Sequence, residues 1–137
     1  MVVHAKYLVD TDWAVYYLRG REPYVTRLKV YREEGLSVSV VSLAELYEGV
    51  FRVPDREEKE KTLNDFLAGL VVLDLTRDVA RTFGRLRAEL RGKGITVADM
   101  DLLIGSTAVY YGLVILTDNR RHYEKIPGVQ LVEAVEE

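Results

Sequence analysis

The feature that most constrains this chain is the alternation of short apolar or β-rich runs with helical patterns. Five strands are predicted, at Lys6 to Asp10, Leu36 to Val41, Val71 to Leu75, Leu113 to Thr117 and Val129 to Val132. Helical patterns lie between them, at Trp13 to Leu18, Tyr24 to Glu33, Leu43 to Phe51, Glu57 to Leu70, Asp78 to Arg91 and Met100 to Tyr111. Strands that alternate with helices form parallel sheets covered on both faces. We therefore expect an α/β fold with helices on both sides of the sheet.

Length and composition limit both the domain count and the available chemistry. The chain has 137 residues, of which 48% are hydrophobic, so residues 1–137 are predicted to form a single domain with a substantial core. It has no cysteine, which excludes disulfides and thiolate zinc sites, and only His4 and His122 could supply an imidazole. Any bound metal should therefore have oxygen ligands. The net charge of −3 is unlike that of a strongly basic domain that binds nucleic acid non-specifically.

No segment has the pattern expected for export or for membrane insertion. The apolar part of the first ten residues is too short for a signal peptide. The most apolar stretch, Leu102 to Thr117, contains Gly105 and Gly112 and is shorter than the roughly 20 residues that a membrane span needs. We therefore expect a cytoplasmic protein that does not enter a membrane.

Polar side chains follow two of the predicted strands at the point where each strand ends. Asp10 closes the first strand, and Thr117, Asp118 and Asn119 close the fourth. Each could be an ordinary turn residue, and the nearby Asp12 could be a helix N-cap. In a parallel sheet, however, the carboxyl ends of the strands share one edge, where active sites usually form. The recurrence of polar groups there favours a functional site.

Three further acids lie near the starts of predicted helices. Glu45 lies one turn into the helix after the second strand, but Ser42 and Glu45 also have the spacing of a capping box. Asp99 and Asp101 begin a largely apolar helix, where acids complement the helix dipole. Residues two apart on a helix point to different sides, so one of these two aspartates is free to face a site.

A cluster of carboxylates at this edge would need a cation, because like charges repel unless protons neutralise them. Oxygen ligands without cysteine favour a hard ion, Mg²⁺ or alternatively Mn²⁺. Such an ion contacts substrate phosphates and lowers the pKa of a bound water molecule. The residues therefore indicate a metal-dependent enzyme that hydrolyses phosphodiester bonds.

Four ordered segments carry a resemblance to a known family. They are Leu8-Val9-Asp10-Thr11-Asp12, Val41-Ser42-Leu43-Ala44-Glu45-Leu46, Asp101-Leu102-Leu103-Ile104-Gly105-Ser106-Thr107-Ala108 and Leu116-Thr117-Asp118-Asn119, followed by Arg121-His122-Tyr123. Together they resemble PIN-domain ribonucleases of the VapC toxin type. No single segment is specific, but the ordered set covers nearly the whole chain.

The resemblance implies a three-layer α/β/α sandwich with a mostly parallel five-stranded sheet, and an endoribonuclease that is the toxin of a toxin–antitoxin pair. It implies catalytic and metal-binding roles for Asp10, Glu45 and Asp101, with Asp99 as an accessory acid. The last acidic position of the family falls on Asn119, beside Asp118, and the sequence leaves open which of the two faces the metal. Asparagine there is a weaker ligand and favours one firmly held Mg²⁺ ion over two.

RNA phosphates need positive partners near the metal edge. Arg120 and Arg121 follow the fourth strand directly and are predicted to contact phosphates, with Thr11, Asp12 and Thr117 completing the substrate-binding set. The arginines of the helix from Asp78 to Arg91 are interpreted as a solvent-facing surface. Family resemblance further implies a homodimer and a cognate antitoxin that covers the acidic site.

Two other functions fit parts of the pattern. A receiver-like phosphoacceptor domain also gathers acids at a sheet edge and binds Mg²⁺, but the second predicted strand, Leu36 to Val41, ends without an aspartate. A non-catalytic RNA-binding or interaction module on the same scaffold is the other alternative, kept open by Asn119. RNA cleavage that requires a divalent ion would distinguish the enzyme from both.

Overall fold

The structure, a computed structural model, describes residues 5–135 as seven helices around a five-stranded sheet; His4, one of the two histidines, lies outside the described residues. The strands are β1 (Tyr7–Val9), β2 (Leu36–Ser39), β3 (Val71–Leu73), β4 (Val114–Leu116) and β5 (Gln130–Leu131). The helices are α1 (Thr11–Leu18), α2 (Tyr24–Glu34), α3 (Val40–Phe51), α4 (Arg56–Leu67), α5 (Arg77–Gly92), α6 (Asp99–Tyr111) and α7 (Arg120–Tyr123). Every predicted strand and helix is present within a few residues of its predicted bounds.

All five strands are parallel, in the order β3-β2-β1-β4-β5. The chain moves outward from β1 through β2 to β3, and then returns to place β4 on the other side of β1. The strand order therefore reverses between β1 and β4, where Val9 lies opposite Leu116. Ligands of open parallel sheets bind beyond the carboxyl ends of strands at such a switch point. This topology places the residues after β1 and β4 side by side.

The core lies on both faces of the sheet because successive strand residues point to opposite sides. Leu8 and Ile115 pack in one apolar cluster with residues of α5, α6 and α7. Their neighbours Val9 and Leu116 pack in a second cluster with residues of α1 to α4. Each of these four strand residues has no exposed surface. The predicted three-layer α/β/α sandwich is confirmed, and the sheet is fully parallel.

The second strand is shorter than predicted, because a helix cap begins two residues before its predicted end. Ser39 takes an extended conformation, and its Oγ accepts a hydrogen bond of 3.1 Å from the backbone N–H of Val41, so α3 starts at Val40. The capping box that the spacing of Ser42 and Glu45 allowed is therefore not formed, because the helix is capped by Ser39. Ser42 is instead buried, and its hydroxyl has no hydrogen-bond partner among residues 5–135. The earlier helix start leaves Glu45 free of the capping role.

Helix α7 replaces the polar turn that was predicted at Arg120 to His122, and it packs closely on α6. Gly105 permits this approach, since a Cβ atom placed there would lie 2.6 Å from Cδ1 of Ile126 and 3.7 Å from Cδ1 of Tyr123. Tyr123 is completely buried at the end of α7. The close contact between the two helices thus brings the Tyr123 side chain beneath the edge where β1 and β4 end.

The end of the described part of the chain packs against the core. Val132 and Val135 pack against the cluster formed with α1 to α4, so the described part of the tail covers the core. The last two residues lie outside the described part of the chain. Within residues 5–135, no helix is both long and apolar enough to cross a membrane.

Candidate active site

Asp10 lies at the centre of the switch point and is held by three donors. It caps α1, and its Oδ1 accepts hydrogen bonds from the backbone N–H of Thr11 at 2.8 Å and from the Tyr123 hydroxyl at 3.0 Å. Its Oδ2 accepts a bond of 2.7 Å from the hydroxyl of Thr117, the first residue after β4. Only 3% of Asp10 is exposed. Groups from α1, the loop after β4 and α7 therefore fix this carboxylate at the edge of the sheet.

Glu45 is connected to Asp10 through Thr11. The Thr11 hydroxyl donates a hydrogen bond of 2.8 Å to Oε1 of Glu45, while the backbone of the same residue binds Asp10. Thr11 thus contacts both predicted acids, one through its backbone and the other through its side chain. This arrangement agrees with a site at which α1 and α3 contribute neighbouring carboxylates.

Asp101 faces the same edge from the first turn of α6. Its Oδ2 lies 2.9 Å from Nδ1 of His122, and its side chain is 22% exposed, compared with 54% for the histidine. The negative charge of Asp101 is also close enough to raise the pKa of Asp10. Of the two aspartates at the start of α6, Asp101 is therefore the one directed toward Asp10.

Asp99 points elsewhere. Its Oδ1 lies 2.7 Å from the guanidinium of Arg87 on α5, and its side chain is 68% exposed. A surface ion pair of this kind contributes little to stability. Its placement does not support the accessory metal-binding role predicted from the sequence.

The two residues after Thr117 differ in their surroundings. The Asp118 carboxylate accepts hydrogen bonds from Nε1 of Trp13, at 3.0 Å, and from the hydroxyl of Tyr24. The Asn119 side chain is exposed, and its backbone N–H donates to the Thr117 hydroxyl at 2.9 Å. Asp118 thus ties the loop after β4 to α1 and α2, which argues against its predicted role as a metal ligand and leaves Asn119 as the better candidate at that position.

The two arginines that were predicted to contact phosphates, Arg120 and Arg121, also differ in their surroundings. The Arg120 guanidinium binds the backbone carbonyl of Val132 and lies 3.6 Å from Glu124, so its donors are directed to the chain end instead of the carboxylates. Arg121 is exposed, and its side chain makes no hydrogen bond or ion pair with residues 5–135. The phosphate-binding prediction is therefore kept for Arg121, while the geometry does not support it for Arg120.

Burial and neighbouring negative charges raise the pKa of several groups at this edge. Burial, supported by the negative charge of Asp101, raises the pKa of Asp10 despite its three hydrogen bonds. Burial and the charge of Asp10 raise the pKa of Asp12 to about 7. Burial and the charges of Asp10 and Asp101 also raise the pKa of Tyr123, so its hydroxyl remains a protonated donor. A divalent cation would relieve this repulsion.

The donor set fits a hard divalent ion that takes few protein ligands. Among residues 5–135, no three acidic or histidine side chains are close enough together to form a complete chelating group. Mg²⁺ commonly binds through one or two carboxylates, retains several water molecules and adds substrate phosphates. Asp10 and Asp101 suit this requirement, since both are carboxylates and their charges interact.

The raised pKa of Asp12 predicts a pH-dependent stability for the protein kept in chelator. The folded state holds the Asp12 proton up to about pH 7, whereas the unfolded chain releases it near pH 3.8. The stabilisation from this proton is complete below the unfolded value and is lost as the pH rises through the folded value. We expect the free energy of unfolding, measured by urea denaturation, to fall over this range. Asp12→Asn should reduce the slope, and equal slopes would contradict the assignment.

Sequence reasoning missed the two α7 side chains that contact the acids. Tyr123 and His122 were noted only as part of the family motif, and His122 also as one of two histidines. A tyrosine followed by Glu124 and Lys125 gives no periodic signal of burial in so short a helix. Their roles follow from the packing of α7 against α6, which no local pattern shows.

Removing the Tyr123 hydroxyl should weaken the site without opening the core. Tyr123→Phe keeps the buried ring and deletes one donor to Asp10. Residues that orient a metal ligand typically change metal affinity or activity by about 10- to 100-fold. We expect a drop of about tenfold in apparent Mg²⁺ affinity, measured by RNA cleavage over a Mg²⁺ titration, and a rise in the pH at which cleavage becomes half-maximal. The loss of one hydroxyl from Tyr110, which binds Asp78 on an exposed surface, is the matched control. Equal effects of the two changes would refute the role of Tyr123.

Comparison with known proteins agrees with this geometry. The model of the PIN domain family matches residues 7–128. Ribonuclease VapC2 of Rickettsia felis is 30% identical over 127 residues, covering 91% of this chain and 95% of the relative. Ribonuclease VapC19 of Mycobacterium tuberculosis is 33% identical, covering 90% of this chain and 96% of the relative. The tRNA(fMet)-specific endonuclease VapC of Salmonella typhimurium is 29% identical, with 92% and 96% covered.

Solved structures give the same result. VapBC2 from Rickettsia felis, bound to a DNA fragment from its promoter, superposes with a TM-score of 0.86 and 29% identity, covering 95% of this chain and 98% of the other. The DNA-bound VapBC from Salmonella typhimurium also gives a TM-score of 0.86 and 29% identity, with 93% and 97% covered. The fold and site define an α/β protein with carboxylates at the switch point of a parallel sheet. The chain belongs to the PIN domain family, among the VapC-type ribonucleases.

Proposed function

We propose that this chain is an endoribonuclease that uses Mg²⁺ to hydrolyse RNA phosphodiester bonds and acts as the toxin of a toxin–antitoxin pair. The observation that carries the proposal is the placement of Asp10 between β1 and β4, within electrostatic reach of Asp101 and connected through Thr11 to Glu45. The VapC relatives support the activity by their similarity over nearly the whole chain. Family membership argues against the receiver-like alternative.

Each acid has a distinct part in the proposed reaction. Asp10 and Asp101 would hold the ion, which, when bound, lowers the pKa of a water molecule and stabilises charge on the phosphate. Thr11, Thr117 and Tyr123 keep the Asp10 carboxylate in one orientation. Glu45 accepts the Thr11 hydroxyl through Oε1, so its second oxygen can accept a hydrogen bond from the attacking water. The water loses a proton to the second oxygen of Glu45 as it adds to phosphorus, the bond to the leaving ribose oxygen breaks, and that oxygen takes up a proton from solvent.

An RNA digest tests this proposal directly. We expect cleavage with Mg²⁺, its loss in EDTA, and its recovery when Mg²⁺ or Mn²⁺ is restored. Asp10→Asn should abolish cleavage, whereas Asp65→Asn, which changes an exposed acid on α4, should not. Cleavage that continues in EDTA would refute metal dependence. Tight RNA binding without cleavage under all conditions would instead support the non-catalytic module.

The proposed partners follow from the same assignment. A groove between α1, α3 and α4 is lined by apolar residues such as Val15, Leu18 and Leu46 and reaches Glu45. We propose that the cognate antitoxin docks here and covers the acidic edge with a basic side chain.

We also propose that the chain forms a homodimer and is located in the cytoplasm. Co-expression with the antitoxin of the same operon, followed by light scattering, would measure the stoichiometry of both assemblies.

A further inference from the structure

Two arginines on one surface of the α1–α2 region are stacked on aromatic rings. The Arg21 guanidinium lies 4.6 Å from the ring centre of Tyr16 and 5.5 Å from that of Tyr24. The second guanidinium of this surface belongs to Arg27 and lies 4.8 Å from Trp13 and 5.8 Å from Tyr31. We call this surface the arginine–aromatic platform; it is formed by Trp13, Tyr16, Arg21, Tyr24, Arg27 and Tyr31.

The aromatic rings of the platform pack against one another and hold the arginines in place. Trp13 and Tyr24 are buried and meet edge to face, with ring centres 5.2 Å apart, and Tyr16 lies 4.6 Å from Tyr24. A guanidinium that lies over an aromatic ring keeps N–H donors at its periphery, where they match the geometry of phosphate oxygens. One of these donors on Arg27 is bonded to the Tyr31 hydroxyl at 3.0 Å, which leaves the others for a phosphate. Arg21 is exposed and Arg27 partly exposed, so solvent reaches both side chains.

The platform is directly connected to the acidic edge. Nε1 of Trp13 and the hydroxyl of Tyr24 both donate to the carboxylate of Asp118, in the loop after β4. The backbone N–H of Asp118 in turn donates to Asp12 at 2.9 Å. The rings that carry the arginines are therefore fixed to the loop that borders the proposed cleavage site.

Local charge also distinguishes this surface. The whole chain has a net charge of −3, and its carboxylate edge would repel RNA. The segment 19–34, which includes the whole of α2, nevertheless contains five basic residues and three acids. One of these acids, Glu22, accepts hydrogen bonds from the side chain and the backbone N–H of Thr26, at 2.6 Å and 2.9 Å. The segment therefore has a net positive charge, unlike the carboxylate edge.

We propose that Arg21 and Arg27 on the arginine–aromatic platform bind the RNA backbone through its phosphates and guide the strand to the carboxylate edge. This inference rests on the proposed ribonuclease function, which it deepens by naming a substrate-binding surface outside the acids. The stacked rings reduce the conformational freedom that each arginine loses on binding a phosphate.

RNA binding by a cleavage-deficient protein tests the platform. In an Asp10→Asn background, we would measure the affinity for a labelled single-stranded RNA of mixed sequence at several salt concentrations. Arg21→Gln and Arg27→Gln should each weaken binding about three- to tenfold at low salt. The plot of log affinity against log salt has a negative slope, to which each phosphate contact in a single strand contributes about 0.7. The double variant loses two contacts, so its slope should be less steep by about 1.4.

Matched variants separate a platform from a general charge effect. Arg85→Gln removes the same charge from an exposed position on α5 and should change affinity by less than about twofold. Arg21→Lys keeps the charge but replaces the planar group, so it should restore only part of the affinity. Equal losses for the Arg21 and Arg85 variants, an unchanged salt slope in the double variant, or no RNA binding by the parent protein at low salt would overturn the proposal.

The tests distinguish a failure of the arginine–aromatic platform from a failure of the proposed ribonuclease activity. If the unaltered chain cleaves RNA but the Arg21 and Arg27 variants bind and cleave as it does, the platform fails and the nuclease assignment stands. If RNA binding depends on both arginines but no condition gives cleavage, the platform stands and the nuclease assignment fails. Binding of a protein partner that depends on these arginines, with RNA affinity unchanged, would assign the surface to that partner and overturn the RNA proposal.

Discussion

Asp101→Asn is expected to reduce RNA cleavage by about a thousandfold while the protein remains folded. The change removes the negative charge that Asp101 brings to Asp10, and with it one of two proposed ligands. A loss of roughly 4 kcal/mol of transition-state stabilisation corresponds to three orders of magnitude in rate. Single-turnover cleavage of an RNA substrate under saturating Mg²⁺ would measure this loss. Circular dichroism would report whether the fold is retained.

The neighbouring aspartate offers a control of the same chemistry on the same helix turn. Asp99→Asn breaks only an exposed ion pair with Arg87 and should keep cleavage within about twofold of the unaltered rate. Comparable losses in both variants would show that charge at the start of α6, and not the position of Asp101, supports the reaction. Full activity of the Asp101→Asn protein would remove Asp101 from the site altogether.

Gly105→Val should destabilise the fold by about 3 kcal/mol, because the buried side chain of Ile126, in the segment that follows α7, would have to move away from α6. A Cβ atom at Gly105 would lie 2.6 Å from Ile126, and a valine adds two methyl groups beyond it. The same displacement would move Tyr123 away from Asp10, so we also expect cleavage to fall. Urea denaturation gives the first quantity, and RNA cleavage at a temperature where the variant stays folded gives the second.

A substitution at a second helical glycine, Gly84, is expected to stabilise the protein. Apart from its chain neighbours and the backbone of its own helix, no heavy atom of residues 5–135 lies within 4 Å of the place where a Cβ of residue 84 on α5 would lie. Gly84→Ala should therefore stabilise the protein by about 0.5–1 kcal/mol, since alanine loses less conformational entropy in a helix. If Gly105→Val were as stable as the unaltered protein, the close packing of α6 on α7 would not be the reason that residue 105 is a glycine.

The fold was readable from local patterns because its strands and helices differ in period and in apolar content. The apolar run that contains Val114–Leu116 predicted a strand buried on both faces, and the structure confirms it. The same expectation was wrong for the run at Val71–Leu73, because β3 lies at the edge of the sheet and Val71 and Val72 are exposed. The errors lie at boundaries, where hydrogen bonds compete over one or two residues. The strand β2 ends early at Ser39 because the serine hydroxyl caps α3. In the sequence, a serine within an apolar run gives no sign that it will cap a helix.

Part of the site was also predictable, because some of its residues lie at strand ends and helix starts that local patterns show. Asp10 could be selected because it closes a strand, whereas Asp101 was preferred over Asp99 only by the family resemblance. In the structure Asp10 lies at the switch point, and the charge of Asp101 is close enough to raise its pKa. Asp118 was as good a candidate by sequence as Asn119, but its bonds to Trp13 and Tyr24 join residues about a hundred positions apart. No pattern within a window of a few residues can contain that information.

The sequence by itself determined the order of strands and helices, the oxygen-only chemistry and the segments that supply the acids, because these depend on residue type and spacing along the chain. Tertiary structure decided which oxygens meet, that Tyr123 and Thr117 hold Asp10, and that Arg21 and Arg27 stack beside the loop after β4. The physical reason is that hydrogen bonds and like-charge repulsion act over a few ångströms in space, and the distances between distant residues are fixed only when the helices pack on the sheet.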